Sequence, residues 1–169
     1  RAITADGGLT LWAALYLVVG VAYSVWLKRV VILDVIIVAF GFVLRAMGGA
    51  AAIAAPISPW LVVCTFTLTL FIALAKRRGE LLHLADPGSA RPTAGRYRLD
   101  EVERMATVSA ALAILTYALY CLSPMTIQRF GSAHMVWTIP LAVYGVFRYD
   151  RVSRRSGEGD MVGVLVRDA

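Results

Sequence analysis

The stretch Trp26–Ala52 most constrains what this chain can fold into, because it is apolar enough to cross a bilayer yet carries ionisable residues. A membrane-spanning helix rises about 1.5 Å per residue and needs about twenty predominantly apolar residues. A charge at its centre costs at least about 2.5 kcal/mol on insertion scales. Asp34 and Arg45 therefore need polar surroundings, which a wet cavity inside a helix bundle would supply.

The spacing of Asp34 and Arg45 predicts that they share one helix face. They are eleven residues apart, which is close to three helical turns. The same spacing separates them by about 16 Å along the axis, so they cannot neutralise each other directly. Two structural alternatives stay open: Asp34 could pair with Lys28 or with another helix, and Arg45 could reach the interface or a helix partner. Small residues would let a neighbouring helix or a ligand approach this segment closely, namely Gly41, Gly48 and Gly49.

Composition and hydropathy predict an all-α, polytopic transmembrane helix bundle, because 59% of the residues are hydrophobic and no segment alternates with period two. We expect one domain over residues 1–169, with a cytoplasmic loop at 79–104 and a cytoplasmic tail at 148–169. The two cysteines, Cys64 and Cys121, lack metal-ligand spacing and are expected to be buried as small hydrophobic residues. The five predicted spans are Leu9–Leu27, Val30–Ala52, Trp60–Ala75, Met105–Leu122 and Met135–Phe147.

The net charge of +6 follows a topological pattern, so no nucleic-acid partner is expected. Basic residues fill the connections after the first and third spans and the C-terminal tail, whereas the other two connections hold only Arg129. The positive-inside rule places the basic segments in the cytoplasm and the chain in the cell membrane. The residues thereby gathered at one membrane face are Lys28, Asp34, Lys76–Glu80, Arg91, Tyr97 and Arg148.

The sequence Lys76-Arg77-Arg78-Gly79-Glu80 follows directly on the third span and is the strongest candidate site. Arginine and lysine bind phosphate, and a carboxylate among them can hold Mg²⁺ that phosphates also bridge. The alternative is a cationic cluster that ends the span at water, with Lys76 and Glu80 paired four residues apart on one helix face. With Asp34, Arg45 and a second basic loop expected on the same side, we favour a site.

Two segments, AYSVWLKRVVILDVIIVAFGFVLRAMGGAAA and PISPWLVVCTFTLTLFIALAKRRGELLHL, resemble the UbiA superfamily of membrane prenyltransferases. The resemblance is strongest to the decaprenyl-phosphate phosphoribosyltransferase branch. It implies a nine-helix bundle with a cytoplasmic cavity, in which the five spans correspond to helices four to eight. An Asn-Asp-x-x-Asp-like motif of the family is absent, as are its first three helices and its last. We therefore expect an incomplete part of an enzyme rather than a remnant that cannot catalyse.

The resemblance also implies an activity, because KRRGE stands where typical prenyltransferases have an Asp-rich DxxxD motif. Cations in place of carboxylates suit the phosphoribosyl branch. The implied reaction is Mg²⁺-dependent transfer of 5-phosphoribose from phosphoribosyl pyrophosphate to a polyprenyl phosphate such as decaprenyl phosphate, for cell-wall arabinan precursors. Two alternatives stay open: prenyl transfer to an aromatic acceptor, and a non-catalytic membrane module. The oligomeric state is open as well, with a homo-oligomer as one candidate.

The roles expected within this reaction divide the candidate residues. Asp34 and Glu80 would be catalytic, holding Mg²⁺ or orienting the donor hydroxyls. Arg45 would hold the lipid phosphate or brace Asp34. Lys76 and Arg77 would clamp phosphates from the end of a helix at water, where their loss should cost little stability. The remaining members of the predicted substrate-binding set are Lys28, Arg91, Tyr97 and Arg148.

Overall fold

The protein is described by a computed structural model that covers residues 12, 14–21, 23, 25, 32–83 and 98–155. Every regular element within these ranges is a helix and none is a strand, so the predicted all-α polytopic bundle is confirmed. A helical segment that includes residues 14–21 is named α1. The helices that follow it are α2 (Leu33–Ala52), α3 (Pro59–His83), α4 (Leu99–Leu122), α5 (Pro124–Phe130), a 3₁₀ helix (His134–Thr138) and α6 (Ile139–Arg155).

Three of the described helices are long and apolar enough to cross a membrane: Leu33–Ala52, Pro59–Leu82 and Leu99–Leu122. A fourth crossing exists if Pro124–Phe130 and His134–Arg154, which are bent by 101° relative to each other, together form one span. The chain is thus a multi-pass membrane protein. The first predicted span, Leu9–Leu27, lies largely outside the described residues, so the expected count of five stays a prediction.

The third span is longer than predicted, because α3 does not end at Ala75 but continues through the cationic cluster to His83. Apart from Gly79 and His83, the residues of this segment are favourable in a helix, and the buried arginines have acidic partners, so the helix continues. The predicted loop 79–104 is correspondingly too long at both ends. Residues 79–83 belong to α3 and residues 99–104 belong to α4, while residues 84–97 lie outside the described part.

The predicted fifth span, Met135–Phe147, is wrong at both ends. A 3₁₀ helix occupies His134–Thr138, and α6 then continues through Phe147 to Arg155, so the start of the predicted tail 148–169 is helical. Pro140 lies in the first turn of α6, where its missing N–H costs nothing, and it begins the helix instead of kinking it. An ion pair between Asp150 and Arg154, four residues apart, supports the polar last turns of α6.

Helix α3 lies at the centre of the described bundle and packs against α2, α4 and α6. Its densest cluster joins Phe71, Leu74 and Ala75 to Val35 of α2 and Val102 of α4. Cys64 and Cys121 are buried free thiols, as expected. The helices alternate in direction, so the starts of α2 and α4 and the ends of α3 and α6 meet at one end of the bundle. This is called the charged end below, and the other is called the opposite end.

Candidate functional site

The charged end is built around Arg77, whose guanidinium bridges two carboxylates on different helices. Its Nη2 donates a very short hydrogen bond to Asp34 Oδ2 at the start of α2, and its Nη1 donates to Glu80 Oε2 at 2.6 Å. Asp34 is 1% exposed and the Arg77 side chain is 8% exposed, so this pair is withdrawn from solvent. Asp34 also lies in the first turn of α2, where the helix dipole favours a negative charge. The structure thus brings three predicted site residues together.

The predicted alternative, a Lys76–Glu80 ion pair, is not what forms. Glu80 pairs with Arg77, and Lys76 is exposed. Successive residues on a helix point about 100° apart, so the side chains of Lys76 and Arg77 leave α3 in different directions. Lys76 therefore presents an exposed ammonium at the charged end, next to a guanidinium whose two terminal nitrogens are engaged by carboxylates.

Arg78 belongs to a second cluster that sequence reasoning missed. Its side chain is fully buried, and its Nη1 donates to Asp150 Oδ1 at 2.9 Å. Its Nη2 donates to Ser153 Oγ at 2.6 Å and to the Asp150 carbonyl oxygen at 3.2 Å. The only sequence signal was an acidic residue, Asp150, in a segment otherwise rich in arginine. Arg78 is therefore a link between α3 and α6 and has no guanidinium face open to a substrate.

Arg45 lies at a separate place, between α1 and α2. Its Nη2 donates to the hydroxyl oxygen of Tyr16 at 2.6 Å, and its guanidinium carbon is 5.2 Å from the ring centroids of Tyr16 and Phe42. Arg45 lines a cavity of about 170 Å³ with residues of α1 and α2, and Asp34 is not among them. The two residues that opened the sequence argument therefore have different partners. The aromatic contacts satisfy the arginine within the apolar segment.

Four predicted substrate-binding residues are still to be placed relative to the Arg77 cluster. Lys28, Arg91 and Tyr97 lie outside the described residues. Arg148 is half-buried on α6 and donates from Nη1 to the Tyr144 hydroxyl oxygen at 3.1 Å. Their predicted roles stay predictions.

Asp34 and Glu80 do not fit a Mg²⁺ centre by themselves in this arrangement. Mg²⁺ needs oxygen ligands in a near-octahedral shell, and the Arg77 guanidinium takes an oxygen from each carboxylate. Among the described residues, no group of three or more His, Cys, Asp or Glu side chains could hold a metal ion. The expected metal thus stays a prediction, and no catalytic step is derived through it.

The fold and the charged end define a class: a multi-pass, all-helical membrane protein with buried arginine–carboxylate clusters at one end of its spans. The chain is similar to a decaprenyl-phosphate phosphoribosyltransferase of Mycolicibacterium smegmatis, at 33% identity over 68% of this chain and 36% of the relative. Proteins of the same name from Mycobacterium tuberculosis and Corynebacterium glutamicum are each 29% identical, over 83% and 62% of this chain respectively. The predicted resemblance to these proteins is confirmed. No model of a known protein family matches the chain.

The matched region covers less than half of each of these relatives. This chain spans 36%, 46% and 32% of the lengths of the three relatives. Their activity is therefore carried to this chain only as a proposal.

Proposed function

We propose that this chain is part of a membrane enzyme that transfers 5-phosphoribose from phosphoribosyl pyrophosphate to a polyprenyl phosphate. The observation that carries the proposal is the charged end, where exposed Lys76 adjoins the buried Arg77–Asp34–Glu80 cluster. The similarity to decaprenyl-phosphate phosphoribosyltransferases supplies the substrate classes. The placement within the UbiA superfamily belongs to the same proposal.

The proposed chemistry needs little acid–base catalysis. An oxygen of the lipid phosphate attacks the anomeric carbon of the ribose and forms a new carbon–oxygen bond. The bond between that carbon and the diphosphate oxygen breaks, and its electron pair leaves with the diphosphate. The nucleophile is already anionic, so no base has to deprotonate it. The protein's contribution is then to position two anionic substrates and to stabilise the diphosphate as it leaves.

The residues of the charged end suit that task in different ways. Lys76 offers a compact ammonium to a phosphate oxygen. Arg77 is held by two carboxylates, so its first role is to fix α2 against α3 and to set the position of Lys76. Glu80 is the more exposed of the two carboxylates, with 29% of its side chain accessible, and it is placed to orient a donor hydroxyl. Roles for Lys28, Arg45, Arg91, Tyr97 and Arg148 in substrate binding remain part of the proposal.

We also propose that the reaction needs Mg²⁺ and that the chain lies in the cell membrane with its active side in the cytoplasm. The product would serve arabinan precursor synthesis. The described carboxylates do not form a metal centre, so any Mg²⁺ requirement has to be tested directly. Removal of divalent cations with a chelator, followed by Mg²⁺ titration, measures whether phosphoribosyl transfer depends on the ion.

The deciding experiment measures phosphoribosyl transfer to a polyprenyl phosphate by the full-length protein in detergent, with Lys76→Ala beside the wild type. A lost charge-assisted phosphate contact is worth about 1.5–3 kcal/mol, so kcat/KM should fall roughly ten- to a hundredfold. The melting temperature should stay almost unchanged, because Lys76 is exposed.

Arg98→Ala is the matched control, since Arg98 is an exposed cation near the same end whose described ion pair is with Asp100. Its transfer rate should match the wild type. Incubation of the same preparation with a prenyl diphosphate and an aromatic acceptor tests the alternative prenyltransferase reaction. Full activity in Lys76→Ala would remove Lys76 from the site, and no phosphoribosyl transfer by the wild type would refute the function.

A further inference from the structure

A cavity of about 550 Å³ lies at the opposite end of the bundle, far from the candidate catalytic residues. It is enclosed by the connection between α2 and α3, the first turn of α3, the end of α4 and the short helix α5. Ser58 lines it, and Ser58 and Arg77 are nineteen positions apart in the sequence, which is about 28 Å along a helix. The cavity is therefore on the other side of the membrane-spanning segment from the charged end.

Ser58 is the first sign that this cavity takes a ligand. The residue is 5% exposed, and its hydroxyl oxygen has no hydrogen-bond partner among the described residues. Its backbone carbonyl oxygen accepts hydrogen bonds from the amides of Leu61 and Val62, but its hydroxyl makes no capping bond to α3. A buried hydroxyl without a partner costs stability. The Ser58 oxygen has less than 1 Å² of accessible surface, so a ligand in the cavity can bond to it only after the side chain turns towards the cavity.

Arg129 is the second sign, because it brings a cation to the same cavity. It is exposed, forms no ion pair with a described carboxylate, and makes only a long hydrogen bond, 3.5 Å, from Nη1 to the Pro56 carbonyl oxygen. Helix α5 holds it in place: the Ser123 hydroxyl caps the amide of Thr126, and Gly131 ends the helix in the left-handed conformation. The backbone at Arg129 is thus fixed beside the cavity, while its exposed side chain makes one long hydrogen bond.

The electrostatics of the cavity favour an anion. It lies at the N-terminus of α3, a helix of 25 residues, where the dipole leaves partial positive charge. Arg129 adds a full positive charge, and Ser58, Thr126 and Gln128 add hydrogen-bonding groups. No aspartate or glutamate is among the described residues that line it.

A second cavity, of about 420 Å³, shares Arg129 with the first but has mostly apolar walls. Its lining includes Val43, Met47 and Val62 of the spanning helices. Ile53 borders both cavities and is 75% exposed. A ligand that fills both cavities must therefore be amphiphilic, with an anionic head near Arg129 and Ser58 and a hydrocarbon tail along α2 and α3.

We propose that these two cavities form a binding site for the phosphate group and one acyl chain of an anionic phospholipid, on the membrane face opposite the charged end. The phosphate accepts hydrogen bonds from the Arg129 guanidinium and, once the Ser58 side chain has turned towards the cavity, from the Ser58 hydroxyl. The site is independent of the catalytic proposal, since none of its residues takes part in phosphoribosyl transfer. The bound lipid joins the α2–α3 connection to α5 and thereby stabilises this end of the bundle.

The test titrates the delipidated full-length protein in detergent with short-chain phosphatidylglycerol and follows the melting temperature. We expect a saturable rise for the wild type. In Arg129→Gln the apparent affinity should fall about tenfold or more, since one charge-assisted hydrogen bond is lost. Ser58→Ala should also weaken the response, yet it should not lower the melting temperature without lipid, because an unpartnered buried hydroxyl is removed.

Arg104→Gln is the matched control, because Arg104 is a 77% exposed arginine at the charged end, and its titration should match the wild type. Phosphatidylcholine of equal chain length should bind more weakly, since its choline brings a positive charge towards Arg129. Equal responses in wild type and Arg129→Gln, or equal binding of both lipids, would overturn the proposal. If inorganic phosphate alone reproduces the Arg129-dependent rise, the anion site stands and the lipid assignment fails.

Discussion

At the scale of single residues, three consecutive cations on α3 have three different environments. Lys76 is exposed, Arg77 pairs with α2 through Asp34, and Arg78 pairs with α6 through Asp150. Successive helical residues point about 100° apart, so neighbours in sequence face different helices. The expectation that Lys76 and Arg77 end a helix at water is therefore wrong, because α3 continues to His83 and Arg77 is buried. Substitution of the exposed Lys76 and of the buried Arg77 should have different consequences.

Arg77→Ala should destabilise the protein strongly, by about 3–5 kcal/mol, because it breaks the buried ion pair with Asp34 by removing one of its two charges. Lys76→Ala should change the free energy of unfolding by no more than about 0.5 kcal/mol. Melting curves of the two variants in the same detergent provide the measurement. The double variant Asp34→Asn with Arg77→Met should recover much of the loss, since both charges are removed together. Equal melting temperatures for the two single variants would contradict the buried pair.

At the scale of helices, ion pairs of unequal burial connect α3, α4 and α6. The Arg78–Asp150 pair joins α3 to α6 with the arginine fully buried. The Arg154–Glu103 pair joins α6 to α4 with both side chains more than 40% exposed. Exposed pairs contribute little because water and salt screen them, whereas a buried charge left alone is costly. The two links should therefore differ in importance although their N···O distances are both 2.9 Å.

Asp150→Ala should loosen α6, since it leaves the Arg78 guanidinium buried without a carboxylate. We expect faster amide hydrogen exchange in α6 and a lower melting temperature. Glu103→Ala is the comparison, and it should shift stability by less than about 1 kcal/mol. Comparable exchange rates in the two variants would mean that Ser153 and the Asp150 carbonyl oxygen satisfy Arg78 unaided.

Two adjacent glycines of α2 offer a second test of helix packing. A Cβ atom at Gly48 would lie 3.4 Å from the Cβ atom of Trp12 on α1, whereas one at Gly49 would meet nothing within 4 Å. Gly48→Leu should therefore separate α1 from α2 and lower the melting temperature, while Gly49→Leu should not. A larger loss in Gly49→Leu would show that α1 does not pack on the Gly48 face.

At the scale of the whole molecule, the bundle has one end rich in interhelical ion pairs and one end with Arg129 as a cation without such a pair among the described residues. The alternating helix directions put the predicted basic connections at the charged end. This arrangement agrees with the positive-inside pattern, which predicts that the charged end faces the cytoplasm.

Cysteine labelling in cells measures that orientation. Arg98→Cys lies at the charged end and Gln128→Cys at the opposite end, and both positions are exposed. The native Cys64 and Cys121 are buried, so they should give little background. A membrane-impermeant maleimide should label Gln128→Cys in intact cells and Arg98→Cys only after the membrane is opened. The reverse pattern would place the proposed active side outside the cell.

The amino-acid sequence by itself determined the class of fold and most of the apolar segments. Runs of about twenty apolar residues can satisfy their backbone in lipid only as helices, so hydropathy sufficed to find α2, α3 and α4. The candidate cluster of Lys76, Arg77 and Glu80 was also visible, because three consecutive cations and a glutamate directly follow an apolar run. Helix ends were less well predicted, since charged residues continue a helix whenever they find partners.

Only the tertiary structure decided which charged residues form ion pairs with each other. Asp34 and Arg77 are 43 residues apart, and Arg78 and Asp150 are 72 apart. Such pairs depend on the rotation of each helix about its axis, which the packing of α3 against its neighbours sets. The same packing pairs Arg45 with Tyr16 and not with Asp34, and it leaves the Ser58 hydroxyl buried without a partner among the described residues. Local sequence carries no information on these choices, because each one is made by side chains on separate helices.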